Sequence, residues 1–280
     1  MTAVNHGVRR NPDIEEATNL YFIHPLSARL VPLLVRIGVH PNTVSITGAL
    51  CGAAAGVAYY HQLIFLGFAL MIAWHVFDGA DGQLARLTNK MSPSGQVIDG
   101  VCDYVTFGAI YLALALTLLR SHEATIIILV VCAAASHAVQ AAAFERQREV
   151  YLSWAKMAGG QIAALKMSPS ASVLMRVYEN VQRRFMPLPP DLMHTLRERA
   201  VAGEETVGSS YRAIYRRPVK LWSLLSANNR SIAIFIAFLM NWPEGYLWFE
   251  AVALNLLVMG LLQVNAAAAE RLRTLTAATA

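Results

Sequence analysis

Charge is what this sequence has least of. Only 15% of its 280 residues are Asp, Glu, Lys or Arg, against about 25% in an average soluble domain. Hydrophobic residues make up 56%, above the usual level of roughly 45–50%. That balance excludes a disordered, collagenous or coiled-coil chain. Because the apolar residues come in long runs, it also argues against an ordinary soluble enzyme. Cysteine is scarce: Cys51, Cys102 and Cys132 all lie inside those runs, which suits small buried hydrophobes and not a disulfide framework. No repeat of 20–50 residues is visible. The first 24 residues have no apolar core, so no cleaved signal peptide is expected. The net charge is +5, yet the basic residues flank apolar segments. They fit a membrane surface better than nucleic acid, and no nucleic-acid partner is expected.

A bilayer crossing takes about 20 apolar residues as a helix. Six segments qualify: Asn42–Tyr60, Leu63–Arg86, Gly95–Leu119, Ala124–Ala143, Trp222–Asn241 and Gly245–Ala268. Helices are the expected spanning form, because lipid offers backbone groups no partners. With the N-terminus in the cytoplasm, the outer connections are His61–Gln62, Arg120–Glu123 and the turn around Pro243, which together hold a single basic residue, Arg120. The basic bias therefore predicts both termini inside. Pro25–Gly38 places Leu26, Leu30, Leu33, Leu34 and Ile37 beside Arg29 and Arg36, the spacing of a helix lying under the inner leaflet. The fold expected is all-α: a polytopic membrane protein of six transmembrane helices, an N-terminal interfacial helix and a long cytoplasmic linker between helices 4 and 5. Its parts are residues 1–41, then 42–143 with the first four spans, a basic linker 144–221, and 222–280 with the last two spans. The linker carries 13 Lys and Arg. It reads as a solvated or headgroup-facing surface, with helix-like pieces around Ser170–Arg184 and a break at Pro187–Pro190.

Four carboxylates, Asp78, Asp81, Asp99 and Asp103, stand at the end of the second predicted span and the start of the third. Acids at membrane depth are expensive and usually face a cavity or a partner. Spacings of three and four put each pair on one helical face. A short turn, Thr88–Ser94, makes the two helices antiparallel neighbours, so the pairs can meet across a gap. Like charges so gathered repel. Hard oxygen ligands without His or Cys favour Mg²⁺, Mn²⁺ or Ca²⁺ over zinc. Mg²⁺ prefers few carboxylates plus substrate phosphates, which points to a nucleotide or diphosphate. His75, about one turn deeper, reads as a packing or polar-contact residue. Gly79, Gly82 and Gly95 each cost about 1 kcal/mol in a helix interior relative to Ala. Two explanations stay open for them: close backbone approach to a ligand and close helix packing in lipid. Gly48, Gly52 and Gly56 in the first span likewise suit packing within the chain, a dimer seam or substrate clearance.

Asp78, Asp81-Gly82, Ala85-Arg86, Gly95, Asp99 and Asp103 stand in the pattern D-x2-D-G-x2-A-R-x8-G-x3-D-x3-D. All eight specified positions fit, with every spacing. In this the chain resembles the class I, integral-membrane CDP-alcohol phosphotransferase family. The resemblance extends to the six spans, to the interfacial helix and to Pro41-Asn42 at the start of the first span. The linker 144–221 departs from it by its length.

The resemblance implies a magnesium- or manganese-dependent phosphotransferase of phospholipid biosynthesis. Such an enzyme moves a phosphoalcohol, here a phosphatidyl group, from a CDP-alcohol to a second alcohol and releases CMP. It implies two divalent ions, Mg²⁺ or Mn²⁺, held by Asp78, Asp81, Asp99 and Asp103. Asp103 would also be the base that takes the acceptor proton, and Gly82, Ala85, Arg86 and Gly95 would contact the CDP. It implies a homodimer in the inner or plasma membrane, among membrane lipids, with the site facing the cytoplasm. The same chemistry with a CDP-linked small headgroup and a lipid alcohol acceptor is the alternative. A divalent-cation transporter is the alternative of another class, but the acids cluster at one face, not the midplane, and no inverted repeat is visible. For the acceptor, Asp103-Tyr104 through Gly108 looks somewhat like bacterial phosphatidylserine synthases. Pro41-Asn42-Thr43 and Cys102-Asp103 echo choline and ethanolamine phosphotransferases.

Overall fold

A computed structural model describes residues 13–155, 180–202, 204 and 206–278. All its regular elements are helical, and there is no strand among the described residues. A π-helical turn, Asn19–Ile23, leads into α1 (His24–Arg36). There follow α2 (Pro41–Tyr60), α3 (Ile64–Leu87), α4 (Pro93–Leu118), α5 (Ile126–Ala155), α6 (Pro190–Val201), α7 (Thr206–Trp222), α8 (Ala227–Leu239), α9 (Pro243–Trp248) and α10 (Leu254–Ala278). The connections follow from local chemistry. Gly38 ends α1 at φ 70, and Pro41 opens α2 at a position where its missing N–H costs nothing. Gln62, Asn89 and Asn241 take positive φ in the turns after α2, α3 and α8. The Ser92 hydroxyl accepts from the Gly95 N–H at 3.0 Å, capping α4 ahead of Pro93.

Among the described residues, five helical runs are long and apolar enough to cross a membrane: α2, α3, α4, Ile126–Trp154 within α5, and Pro243–Ala277 through α9 and α10. The chain is an all-α polytopic membrane protein. The predicted fifth span, Trp222–Asn241, is built differently. Trp222 ends α7, Ser223–Leu225 form a 3₁₀ turn, and α8 has only 13 residues. At 1.5 Å per residue α8 reaches about 20 Å, against a hydrocarbon core of about 30 Å. The polar run Ser226, Asn228, Asn229, Arg230 and Ser231 occupies the half that would complete the crossing. A helix is present where the sequence predicts the interfacial one: α1 buries Ser27, Val31 and Leu34, and Leu33, Val35 and Ile37 are exposed.

Two compact units are distinguished, residues 1–134 with 227–251, and residues 135–226 with 252–280. In the first, α2 packs along both α3 and α4, whereas α3 and α4 make no extended contact with each other. The glycines of α2 account for this. A Cβ at Gly48 would lie 3.1 Å from Phe77 Cβ of α3, one at Gly52 would overlap Thr106 of α4, and one at Gly56 would lie 2.7 Å from the Ala109 carbonyl oxygen. They serve packing within the chain, the first of the three explanations left open above. Beyond them Tyr59, Met71, Trp74, Ile110, Leu114 and Phe238 form the core.

In the second unit the linker is not simply a solvated surface. Its described helices α6 and α7 bury Leu192, Leu196, Tyr211, Tyr215 and Trp222. Tyr211 stacks on Tyr215 with ring centroids 4.5 Å apart. The Trp222 indole donates to Asn265 at 3.3 Å, and Asn265 donates to Gln147 at 2.9 Å. Most of the predicted piece Ser170–Arg184 lies outside the described residues; residues 180–184 are helical, and the break before Pro190 is present.

Candidate active site

The site is set by what α2 does to its two neighbours. Both pack along α2, and they meet each other through Trp74 and Phe107, ring centroids 5.3 Å apart, so the ends of α3 and α4 that carry the acids have α2 behind them. The sequence predicts antiparallel neighbours whose acids meet across a gap; that gap is present, and α2 forms its back wall. Across it one carboxylate oxygen each from Asp78 and Asp81 of α3 and Asp99 of α4 lie within 4.8 Å of one another. Asp81 is buried, at 6% exposure, while Asp78 and Asp99 are partly open. The Ser45 hydroxyl of α2 donates to Asp81 Oδ2. Asp103, one turn along α4 from Asp99, is exposed and stands outside the group of three.

The glycines separate into two kinds. At Gly79 a Cβ would lie 2.6 Å from Ser27 Oγ. Ser27 is fully buried and donates to the Val76 carbonyl at 2.8 Å, locking α1 onto α3. Gly79 is thus a packing glycine. At Gly82 the nearest neighbours of a Cβ would be the atoms of the Arg86 guanidinium, the first at 3.3 Å, and at Gly95 they would be Ser92 Oγ and Asn42 Oδ1, at 3.1 and 3.4 Å. These two leave room on the open side of the site, beside Ala85 and Arg86, which are partly exposed. Three like charges converging on one gap need a counter-ion. An all-oxygen set of carboxylates fits a hard divalent cation.

Several residues that shape this region were not singled out from the sequence. Ser45 is one. His75 does make a polar contact, its Nε2 lying 2.8 Å from Ser231 Oγ of α8. Ser231 Oγ also lies 3.0 Å from the Ala227 carbonyl oxygen. His24 bridges Glu15 at 3.1 Å and Gln83 at 3.5 Å, tying the N-terminal segment to the helix of the motif. Deeper in the first unit, Arg230 of α8 and Glu250 form a fully enclosed ion pair, the guanidinium Nε lying 3.1 and 3.2 Å from the two carboxylate oxygens. Charged residues inside predicted spans were the available signal for that pair.

Comparison with known proteins places this geometry. Residues 38–186, a little over half of the chain, match the family described as CDP-alcohol phosphatidyltransferase. Among curated relatives, an archaetidylinositol phosphate synthase of Pyrococcus horikoshii is 29% identical over 102 residues, 36% of this chain and 54% of the relative. A phosphatidylinositol phosphate synthase of Mycobacterium bovis is 29% identical over 82 residues, 29% of this chain and 38% of the relative. One of Streptomyces avermitilis is 34% identical over 84 residues, 30% of this chain and 34% of the relative. The chain spans about a third to a half of the length of these relatives. The match covers the acids, the α2 wall and the open glycines together, and the chain belongs to the CDP-alcohol phosphatidyltransferase family.

Proposed function

We propose that this membrane protein transfers a phosphatidyl-type group from a CDP-linked lipid to the hydroxyl of a second alcohol, releasing CMP. The observation that carries the reading is the convergence of Asp78, Asp81 and Asp99 from two helices onto one gap beside Gly82 and Gly95. Asp78, Asp81 and Asp99 would hold divalent cations, Mg²⁺ or Mn²⁺. Bound there, two such ions would neutralise the diphosphate and the charge that builds on the departing CMP. Gly82, Ala85 and Gly95 leave the space in which CDP lies, and Arg86 pairs with a phosphate. Asp103 accepts the proton of the acceptor hydroxyl as its oxygen attacks the phosphorus that carries the lipid. The bond from that phosphorus to the bridging oxygen breaks, and the electron pair leaves on CMP. Asp103 is exposed and about 6 Å further along α4 than Asp99, one helical turn of rise. That is where an acceptor could reach it without crossing the cations, so its role is that of base, with cation contact secondary.

The names of the relatives put an inositol phosphate first among acceptors to test, with serine the choice suggested by Tyr104 after Asp103. The test is a panel of CDP-diacylglycerol with inositol 1-phosphate, serine or glycerol 3-phosphate, assayed for CMP in detergent. CMP release with one of these acceptors, abolished by chelator and restored by Mg²⁺ or Mn²⁺, is the expected result. Full activity in excess chelator overturns the cation assignment. CMP release only from CDP-linked headgroups with a diacylglycerol acceptor would reverse donor and acceptor.

The basic bias supports an inner- or plasma-membrane protein whose site and both termini face the cytoplasm, and a homodimer is part of the same reading. A cysteine placed by Ser92→Cys should react with an impermeant thiol reagent only after lysis. Labelling of that cysteine in intact cells inverts the topology.

A further inference from the structure

Asp81 is the most enclosed of the three converging acids, and it is held from outside its own helix. Ser45 lies in the second turn of α2, itself only 6% exposed. A serine inside a helix ordinarily returns its proton to the carbonyl four residues back. Here that carbonyl, of Pro41, is 3.3 Å from Ser45 Oγ, whereas the contact with Asp81 Oδ2 is far closer. A hydroxyl has one proton to give. A carboxylate is the stronger acceptor, so the proton goes to Asp81. The backbone under Ser45 cannot drift. One turn on, Gly48 packs against Phe77 of α3 so closely that an added Cβ would lie 3.1 Å from Phe77 Cβ, which holds α2 against the helix that carries Asp81. With Oδ2 engaged, the Asp81 carboxylate cannot turn about its last bond.

We infer that Ser45 is a positioning residue of the cation site: it orients the Asp81 carboxylate from α2 and so raises the affinity of the three acids for a divalent ion. The inference rests on the cation reading given above. It adds a residue outside the eight-position motif and gives α2 a part in the chemistry beyond that of a packing wall. Partners that orient a metal-binding side chain are typically worth 10- to 100-fold in metal affinity.

The experiment uses the full chain purified in detergent, without donor, and follows Mn²⁺ binding by the loss of the free-ion EPR signal. Ser45→Ala should raise the Mn²⁺ dissociation constant at least about 10-fold. Ser45→Thr, which keeps the hydroxyl, should stay within about 3-fold of wild type. CMP release should show the same split: the Mn²⁺ needed for half-activity rises in Ser45→Ala, while turnover at saturating Mn²⁺ stays within about 3-fold. A role in helix packing alone would alter thermal stability and leave that ratio unmoved. Ser45→Cys keeps the volume with a weaker donor and should bind Mn²⁺ less tightly than Ser45→Thr, which preserves the comparison if Ser45→Ala is unstable. Wild-type affinity in folded Ser45→Ala or Ser45→Cys overturns the inference, as does a loss in Ser45→Thr equal to that in Ser45→Ala. Failure of the wild-type protein to bind Mn²⁺ at all overturns the cation reading instead.

Discussion

Two places in the first unit put carboxylates among membrane helices, and they do it in opposite ways. Glu250 is fully enclosed and meets an equally enclosed Arg230, with the Tyr246 hydroxyl donating at 2.9 Å to one of its oxygens. Asp78, Asp81 and Asp99 instead bring three like charges to a gap with an open side. The first arrangement is balanced within the protein and has no room for anything else. The second gathers like charge and, in the function proposed above, is balanced by divalent cations. Glu250 sits in a π-helical stretch, Phe249–Ala253, which shifts the phase of the helix. The acids of the gap lie on regular α-helix, aimed by the separation of α3 and α4. A closed pair fixes how helices meet, whereas an open cluster is a site.

The largest effects should fall on the open cluster. Asp103→Asn keeps the shape of the side chain but cannot take a proton. Turnover should fall by at least about 100-fold, the usual scale for a lost general base, while binding of the CDP-donor persists. Asp78→Asn should weaken cation and donor binding together. Equilibrium binding of a labelled CDP-lipid alongside CMP release distinguishes the two. If Asp103→Asn turns over at near the wild-type rate, or loses donor binding as completely as Asp78→Asn does, Asp103 is not the base.

The open cluster was legible in the sequence because its information is local. Asp78 to Asp103 is one hairpin, and helical periodicity brings Asp78, Asp81 and Asp99 together; Asp103, grouped with them on the same grounds, stands outside the three. The closed pair was not legible: Arg230 and Glu250 are on separate helices, and nothing in their spacing says that they meet. Ser45 was missed for the same reason, since its meeting with Asp81 depends on how α2 packs. The helix count shows a further limit. Hydropathy marks Trp222–Asn241 as apolar overall, but it averages over the turn at Ser223–Ser226, where α7 ends and the 13-residue α8 begins. The packing of α6 and α7 was hidden by the positive charge on their outer faces, which reads as a solvated linker unless the buried tyrosines are counted separately.

The closed pair makes an intermediate prediction, on stability. Arg230→Met alone strands Glu250 without its cation and should cost about 3–5 kcal/mol of unfolding free energy. Arg230→Met with Glu250→Leu removes both charges and should recover most of that loss, with CMP release within about 3-fold of wild type. Unfolding in detergent by denaturant, read against CMP release, measures both. A double variant that folds but has lost activity would show that the pair belongs to the site.

The smallest effects come from two glycines three residues apart on α3, and there the sign carries the information. Replacing glycine by alanine inside a helix is favourable by about 1 kcal/mol where there is space. Gly82 has that space, since the nearest neighbours of an added methyl are at the mobile end of Arg86, the first at 3.3 Å. Gly82→Ala should therefore leave stability unchanged or slightly raised, yet weaken donor binding, because the methyl occupies the open side of the gap. Gly79 has no such space. Its methyl would lie 2.6 Å from the Ser27 oxygen, and that hydroxyl cannot turn away without giving up its bond to the Val76 carbonyl, at 2.8 Å. Gly79→Ala should destabilise by about 1–3 kcal/mol, the range for overpacking, with donor affinity unchanged in the protein that remains folded. Ser27→Ala combined with Gly79→Ala should restore part of the stability. The measurement is a thermal unfolding midpoint and a donor binding curve for each variant. Equal losses of both quantities in Gly79→Ala and Gly82→Ala would mean that the two glycines do the same work, and the division between packing face and open face along α3 would fall.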